Sequence, residues 1–238
     1  GKTSLGYEIY RQEFLIDENS SSRIRMSARD VIEAKDPHNA ARIFPYLGGE
    51  DLNSSPTHAH HRYVINFGQL SLEEADQWPD LMQIVRDKVK PERDRLREDT
   101  GPGAHGKRWW WQFQHPRQAL NESMTGLDRV LVIARVSNAF AFAFVPAAIV
   151  CNEKIVVIPT RTFAAFCTLQ ARVHETWGRF FNASLKDDMQ YTPSDCFETF
   201  PFPPDWETNA KLEEIRQRYY EFRAALMVKN DQGLTATY

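Results

Sequence analysis

Apolar residues recur along the chain with two different spacings, and the spacing assigns most of the elements. Leu5, Tyr7, Ile9, Tyr10, Phe14, Leu15 and Ile16 mix alternation with aromatic side chains, which predicts strand over residues 5–16. Ser20-Ser21-Ser22 marks a loop. Ser27, with Asp30 three residues on, reads as the N-cap of a helix through Val31, Ile32 and Ala34. Asp36-Pro37 stops it, because the residue before proline is pushed out of the α region. Asn39 to Phe44 adds one further helical turn, Pro45 to Leu52 is a turn-rich connection, and Asn53 to His61 is a polar loop. Arg62 to Phe67 is a strand. Ser71, Glu73 and Glu74 open a helix that pauses at Pro79. The next helix carries Leu81, Met82, Ile84, Val85 and Val89 and runs toward Arg97, with Pro91 set to kink or split it. Thr100 to Gly106, with three glycines and a proline, reads as a loop.

From Arg108 the pattern changes. Arg108 to Phe113 is aromatic, Val130–Val136 and Ala139–Val145 are β-rich, and Ile155–Ile158 is a short apolar strand. Phe163 to Phe180 reads as one buried helix, apolar nearly all round, and Tyr191 to Pro204 as an extended, proline-rich stretch. Asn209 to Val228 is an amphipathic helix with Leu212, Ile215, Tyr219, Phe222 and Leu226 on its inward face. Helices and strands alternate irregularly and no repeat is visible. The expectation is an α+β globule with a mixed or antiparallel sheet and flanking helices.

Composition excludes several classes. The 238 residues are 42% hydrophobic and 26% charged, which is ordinary globular usage and not that of a disordered or collagenous chain. The longest apolar stretch, Ala139 to Cys151, contains Pro146 and is far short of the ~20 residues that span a bilayer, so no membrane partner is expected. Three cysteines without a C-x-x-C pair fit a reducing, cytoplasmic compartment better than a disulfide framework or a structural zinc site. The chain opens Gly1-Lys2-Thr3 without an initiator Met and reads as a piece of a longer polypeptide. The formal charge of −3 conceals a distribution: residues 107–179 carry a net of +5, whereas residues 1–85 carry −5 and residues 180–238 carry −4. A cationic middle third attracts phosphate even on a slightly acidic molecule.

Local motifs for self-contained chemistry fail on context. Gly1-Lys2-Thr3 lacks the loop and strand that precede a P-loop lysine, and a strand pattern follows where a helix is required. Glu33-Ala34-Lys35 matches a nuclease E-x-K but falls mid-helix, where two carboxylates cannot converge on Mg²⁺. His58, His60 and His61 lie in a polar loop without helical i, i+4 spacing or a nearby cysteine. Neither a Gly-rich cofactor fingerprint nor an Asp-Pro-Pro-Tyr or Asn-Pro-Pro-Tyr tetrapeptide is present, so no catalytic residues and no metal are assigned.

A set of ordered stretches is far more specific. Phe44-Pro45-Tyr46-Leu47-Gly48-Gly49-Glu50-Asp51-Leu52-Asn53 is followed by Arg62 to Gly68, Val89-Lys90-Pro91-Glu92-Arg93, and Arg108-Trp109-Trp110-Trp111-Gln112-Phe113. Ala134-Arg135-Val136-Ser137 and Phe197-Glu198-Thr199-Phe200-Pro201-Phe202-Pro203 complete it. This order resembles the target-recognition region of the MmeI-like (type IIL) restriction–modification enzymes and their methyltransferase relatives, from about Phe14 to Tyr238. The resemblance implies a target-recognition domain over residues 1–204, similar to those of type I specificity subunits, and the start of a C-terminal helical spacer over residues 205–238. It implies duplex DNA as one partner and, as another, the methyltransferase domain of the same polypeptide. That parent would be a SAM-dependent adenine-N6 methyltransferase, with Mg²⁺ if a nuclease domain accompanies it.

Recognition of a duplex needs phosphate clamps for affinity and base-edge readers for specificity. Lys107, Arg108, Arg117, Arg135 and Arg161 are the expected clamps. Asn138, Asn152, Glu153 and Lys154, and secondarily Gln112, Gln114 and Ser137, are the expected readers, because amide and charged termini match base edges in the major groove. Trp109, Trp110 and Trp111 fit a core anchor better than a stacking platform, and the Phe197–Pro203 run fits packing of a chain reversal. The competing class is a protein–protein docking module that never touches bases, for which the +5 segment has no use.

Overall fold

The computed structural model describes residues 3–7, 14–17, 28–115, 117–181 and 189–238. In chain order it contains β1 (Ser4–Leu5), β2 (Leu15–Asp17), α1 (Ala28–Lys35), a 3₁₀ helix (Pro37–Arg42), β3 (Ile43–Leu47), α2 (Gly49–Ser54) and β4 (Arg62–Ile65). Then follow α3 (Leu72–Ala75), α4 (Pro79–Lys88), α5 (Lys90–Asp94), α6 (Gly101–Arg108) and α7 (Gln118–Met124). The rest is β5 (Arg129–Ala134), β6 (Val136–Ser137), β7 (Phe142–Pro146), β8 (Val150–Cys151), β9 (Ile155–Ile158), α8 (Phe163–Leu169), α9 (Arg172–Phe181), β10 (Met189–Gln190), a π-helical turn (Pro193–Phe197), α10 (Ala210–Asn230) and α11 (Leu234–Thr237). The α+β class is as expected, with antiparallel sheets. The chain forms two compact units, Gly1–Gly6 with Leu47–Ala59 and Gln118–Tyr238, and Tyr7–Tyr46 with His60–Arg117. The boundary expected after Pro204 falls inside the larger one.

In the larger unit the strands run β1-β9-β5-β7, with Val132 opposite both Ala143 and Val157. β5 and β9 are buried along nearly their whole length, as central strands covered on both faces should be. β7 lies at the end of the order, and its outer edge is closed by side chains. Gln170 Oε1 accepts from Phe142 N (2.9 Å), Tyr220 Oη accepts from Phe144 N (2.8 Å), and Arg223 Nη2 donates to the Phe142 carbonyl (2.8 Å). Every buried backbone group needs such a partner, and an edge left open is also a template for aggregation.

These bonds explain where the amphipathic reading of α10 fails. Asn209 caps the helix as expected, through Lys211 N and Leu212 N. The inward face, however, carries Tyr219, Tyr220, Arg223 and Met227, while Ile215 and Phe222 are 63% and 67% exposed. Arg223 is buried without a carboxylate partner among the described residues. Its guanidinium lies 5.1 Å from the Phe166 ring and 4.8 Å from that of Tyr220, so ring faces supply part of its counter-charge. The single helix expected over Phe163–Phe180 is two: α8 is wholly buried, whereas α9 buries His174 and Gly178 and leaves Val173 and Phe180 exposed. The extended stretch after Tyr191 contains a helical turn, and Phe197, Phe200, Phe202 and Trp206 then pack ring on ring.

In the smaller unit β2, β4 and β3 lie in that order, antiparallel. The strand expected over residues 5–16 is therefore two strands in different units. Ile43–Leu47, expected as a helical turn and a connection, is strand despite Pro45. Asn66 N donates to Arg42 O, which makes residues 44 and 46 the ones bonded to β4 and leaves Pro45 at a non-bonded position where no N–H is needed. Gly49–Ser54, expected as loop, is helical. The Ser71 cap is present, with Glu74 reaching back to Ser71 N, and Pro91 splits α4 from α5. The loop expected at Thr100–Gly106 is the helix α6, capped by Thr100 through Gly103 N. Two of its three glycines serve close approach: a Cβ at Gly103 would stand 1.9 Å from the Arg97 carbonyl, and one at Gly106 would stand 2.8 Å from the Arg93 guanidinium. The Ser20–Ser22 loop and the Ser27 cap lie outside the described residues.

Two of the three tryptophans are core, as the aromatic pattern implied, and Trp109 is half-buried. Trp110, Trp111 and Phe113 are buried, Trp111 Nε1 donates to Leu70 O (2.9 Å), and Phe113 meets Phe14 edge-on at 5.3 Å. All three cysteines are free and buried, and burial pushes the Cys151 thiol up to about 12.

The edge bonds and the histidines of the larger unit can each be tested through stability. Tyr220→Phe should leave Phe144 N without its acceptor and lower stability by about 1–3 kcal/mol, read as the midpoint of urea unfolding; an unchanged midpoint would show that Tyr220 does not close the edge. His58, at a left-handed φ of 54° with Nδ1 2.9 Å from Leu52 O, is held down to about 4 by burial, with nearby Arg223 lowering it further. His174, fully buried, is lowered by the same cause. Both favour the neutral form when folded. The contribution of His58 to stability is therefore complete above pH 6.5 and is lost as the pH falls toward about 4, and that of His174 is lost in the same direction. His58→Asn, which tolerates the same φ, should flatten part of the fall in unfolding midpoint between those limits.

Candidate functional site

A concavity of about 620 Å³ in the larger unit is built where four short segments meet. Gly49, Glu50 and Asn53 come from α2, Arg135 and Val136 from the end of β5 and the start of β6, Glu153 and Lys154 from the turn before β9, and Gln190 from β10. Each is placed by backbone hydrogen bonds. Arg135 N donates to Lys154 O (2.7 Å), and Tyr191 N donates to Arg135 O (2.7 Å). The β6–β10 ribbon sets Gln190 opposite Val136 and Met189 opposite Ser137. Asp51 accepts from Gly48 N (3.0 Å) and fixes the start of α2. Gly49 brings the backbone so near the turn that a Cβ there would touch Lys154 Cβ at 3.6 Å.

The charged groups of the lining balance, with Arg135 and Lys154 against Glu50 and Glu153. None of these four side chains is taken up in an ion pair among the described residues. The cavity therefore offers charged and amide donors beside carboxylate and amide acceptors, all on short segments anchored to a buried sheet.

Of the expected site residues, Arg135, Glu153 and Lys154 line this cavity. Ser137 is adjacent and engaged: its hydroxyl accepts from Asn53 Nδ2 and from Ala139 N, both at 3.1 Å. Asn138 is exposed and faces a separate cleft. Asn152 is buried, and its Oδ1 accepts from Lys154 N (3.0 Å), which shapes the turn that presents Glu153 and Lys154. Gln112 is buried in the smaller unit with Nε2 on Leu70 O (2.8 Å), and Gln114 accepts from Arg93.

Among the expected clamps, Arg161 is exposed, and its carbonyl accepts two bonds from Arg129. Lys107, Arg108 and Arg117 belong to the smaller unit. Lys107 is paired with Glu98 at 2.8 Å, Arg108 lies over Trp109, and Arg117 has a left-handed φ of 50°. Glu50, Asn53 and Gln190 are not among the residues the sequence pattern singles out. The Gly48-Gly49-Glu50-Asp51 run points toward the first two, whereas nothing local marks Gln190.

The histidine loop does not gather. His58 belongs to the larger unit and His60 packs edge-on against Tyr63 in the smaller one. Among the described residues no group of three His, Cys, Asp or Glu side chains is placed to hold a metal ion, and no helix is long and apolar enough to cross a membrane.

No curated protein matches the chain. Among solved structures it is similar to the type IIL restriction–modification enzyme MmeI, determined in complex with DNA. The TM-score is 0.74 at 17% identity, over 99% of this chain and 29% of that one. The likeness shows the fold, and the chain spans under a third of that enzyme's length. The family model described as the MmeI target recognition domain matches residues 18–204, well over half of the sequence, and the chain belongs to that family.

Proposed function

We propose that this chain reads DNA sequence for a restriction–modification enzyme, and that the cavity around Arg135, Glu153 and Lys154 is its base-reading surface. The observation that carries the reading is the mixed, balanced lining of that cavity. A surface that only grips phosphate needs positive charge alone. Major-groove edges instead present donors and acceptors side by side, and they pair with Arg or Lys on guanine, Asn or Gln on adenine, and Glu on cytosine. Glu50, Asn53, Arg135, Glu153, Lys154 and Gln190 comprise that vocabulary.

In this reading Arg161 and Arg108, both exposed, contribute phosphate contacts, and Lys107 does so at the expense of its pair with Glu98. The SAM-dependent methyl transfer to adenine, and any Mg²⁺-dependent cleavage, reside elsewhere in the parent polypeptide. Family membership and the fold shared with a DNA-bound enzyme support the reading.

The test exchanges the two charges of the turn, E153K with K154E, which preserves net charge, and sequences the methylated sites made by the parent enzyme. The expected result is a changed recognition sequence, with binding to the original site weakened by about 1–3 kcal/mol for each side chain that no longer pairs with its base. An unchanged motif in a folded, active variant would remove the cavity from the reading surface.

A further inference from the structure

The larger unit carries a second concavity whose chemistry is the opposite of the first. About 280 Å³ in volume, it is lined by Asn138, Arg172, Glu175, Arg179, Arg216 and Tyr219, among others. Three arginines face one carboxylate. Glu175 is shared between Arg172 (3.2 Å) and Arg179 (2.9 Å). Arg216 has no carboxylate partner among the described residues: its Nε donates to Cys167 Sγ (3.1 Å), and its guanidinium lies 5.3 Å from the Tyr219 ring.

A hydroxyl chain adds a donor. Arg223 Nη1 donates to Tyr238 Oη (3.1 Å), and Tyr238 Oη lies 2.8 Å from Tyr219 Oη. Either hydroxyl of this pair can donate to the other, and the one that accepts keeps its own proton for the cleft, which both tyrosines line.

We infer that this cleft binds one backbone phosphate of the DNA duplex, with Arg216 and Arg179 as its principal ligands. The inference rests on the DNA-reading proposal and assigns residues that the reading cavity does not contain. Uncompensated guanidinium charge beside a hydroxyl donor matches a phosphate, which only accepts hydrogen bonds. The volume lies just below the ~300–1,000 Å³ typical of small-molecule pockets, which suits a single phosphodiester and is small for a whole nucleotide. Val136 and Gln190 line the reading cavity, whereas Asn138, one residue beyond β6, lines the cleft. The ribbon therefore leads from one concavity to the other, as adjoining base and backbone contacts require.

The experiment measures binding of the protein to target and non-target duplexes between 50 and 200 mM salt. Each phosphate contact contributes about 0.9 to the slope of log affinity against log salt, which at 0.1 M corresponds to about eightfold in affinity. R216Q and R179Q should each weaken both duplexes by about that factor and flatten the slope by about one. R216K should retain the slope, and the ratio of target to non-target binding should not move. R179Q, on the exposed side of α9, serves if R216Q fails to fold. If the wild type binds its target specifically while R179Q, and R216Q where it folds, leave the slope and the affinity for both duplexes unchanged, the cleft is not a DNA contact and the inference is overturned. A wild type with no salt-dependent duplex binding overturns the reading on which it rests, and the inference with it. Inorganic phosphate is the second arm. If it raises the melting temperature of the wild type but not of R216Q, with DNA slopes unaffected, the cleft takes free phosphate and the DNA assignment is likewise overturned.

Discussion

The larger unit depends on how the outer edge of β7 is closed. A terminal strand of an antiparallel sheet has unpaired N–H and C=O groups, and here they are buried under helices where water cannot serve them. Gln170, Tyr220 and Arg223 take that role, and in doing so they fix the rotation of α10 about its axis and its distance from the sheet. Once α10 is so placed, Tyr219 and Arg216 follow on the same side, and Tyr238 is drawn in by Arg223 and Tyr219. The cationic cleft is thus a by-product of edge closure, positioned by bonds that belong to the core.

The same constraint shows why one helix face is misread from sequence. Periodicity ranks residues by hydrophobicity, so it places Ile215 and Phe222 inward and ignores Arg223. The strand edge needs hydrogen-bond donors and acceptors, and an arginine with two aromatic neighbours satisfies it better than a leucine stripe would. Capping signals fare better, because their partners are local. Ser71 with Glu74, Asn209 with the turn after it, and Pro91 between two helices all act within four residues. Gly103 and Gly106 of α6 mislead for the opposite reason, since their purpose is close approach to Arg97 and Arg93 and not turn geometry.

Legibility of the site divides along the same line. Arg135, Glu153 and Lys154 are visible because they flank obvious strands, and the structure brings all three to one cavity. Gln190 meets them only through the β6–β10 ribbon, a pairing across more than fifty residues that leaves no periodic trace. Asn152 has the right chemistry for a reader, yet its position before a tight turn commits its side-chain oxygen to the backbone of Lys154. A polar residue at a turn can serve the backbone or a ligand, and burial decides between them.

The two concavities also suggest how affinity and discrimination are kept apart. A balanced cavity gains little on average from approaching a polyanion, because its carboxylates are repelled as its cations are attracted. What it gains depends on whether each buried donor and acceptor finds a complement, and a wrong base pair leaves groups unsatisfied at about 1–3 kcal/mol each. A cationic cleft gains from any phosphate and is blind to sequence. Placing both sets in one surface would let Arg172, Arg179 and Arg216 neutralise Glu50 and Glu153, and the acceptors needed for cytosine would be taken up by protein. Glu175 is already engaged in this way, held between two arginines. On the reading proposed above, separation by the β6–β10 ribbon keeps the remaining carboxylates available to bases.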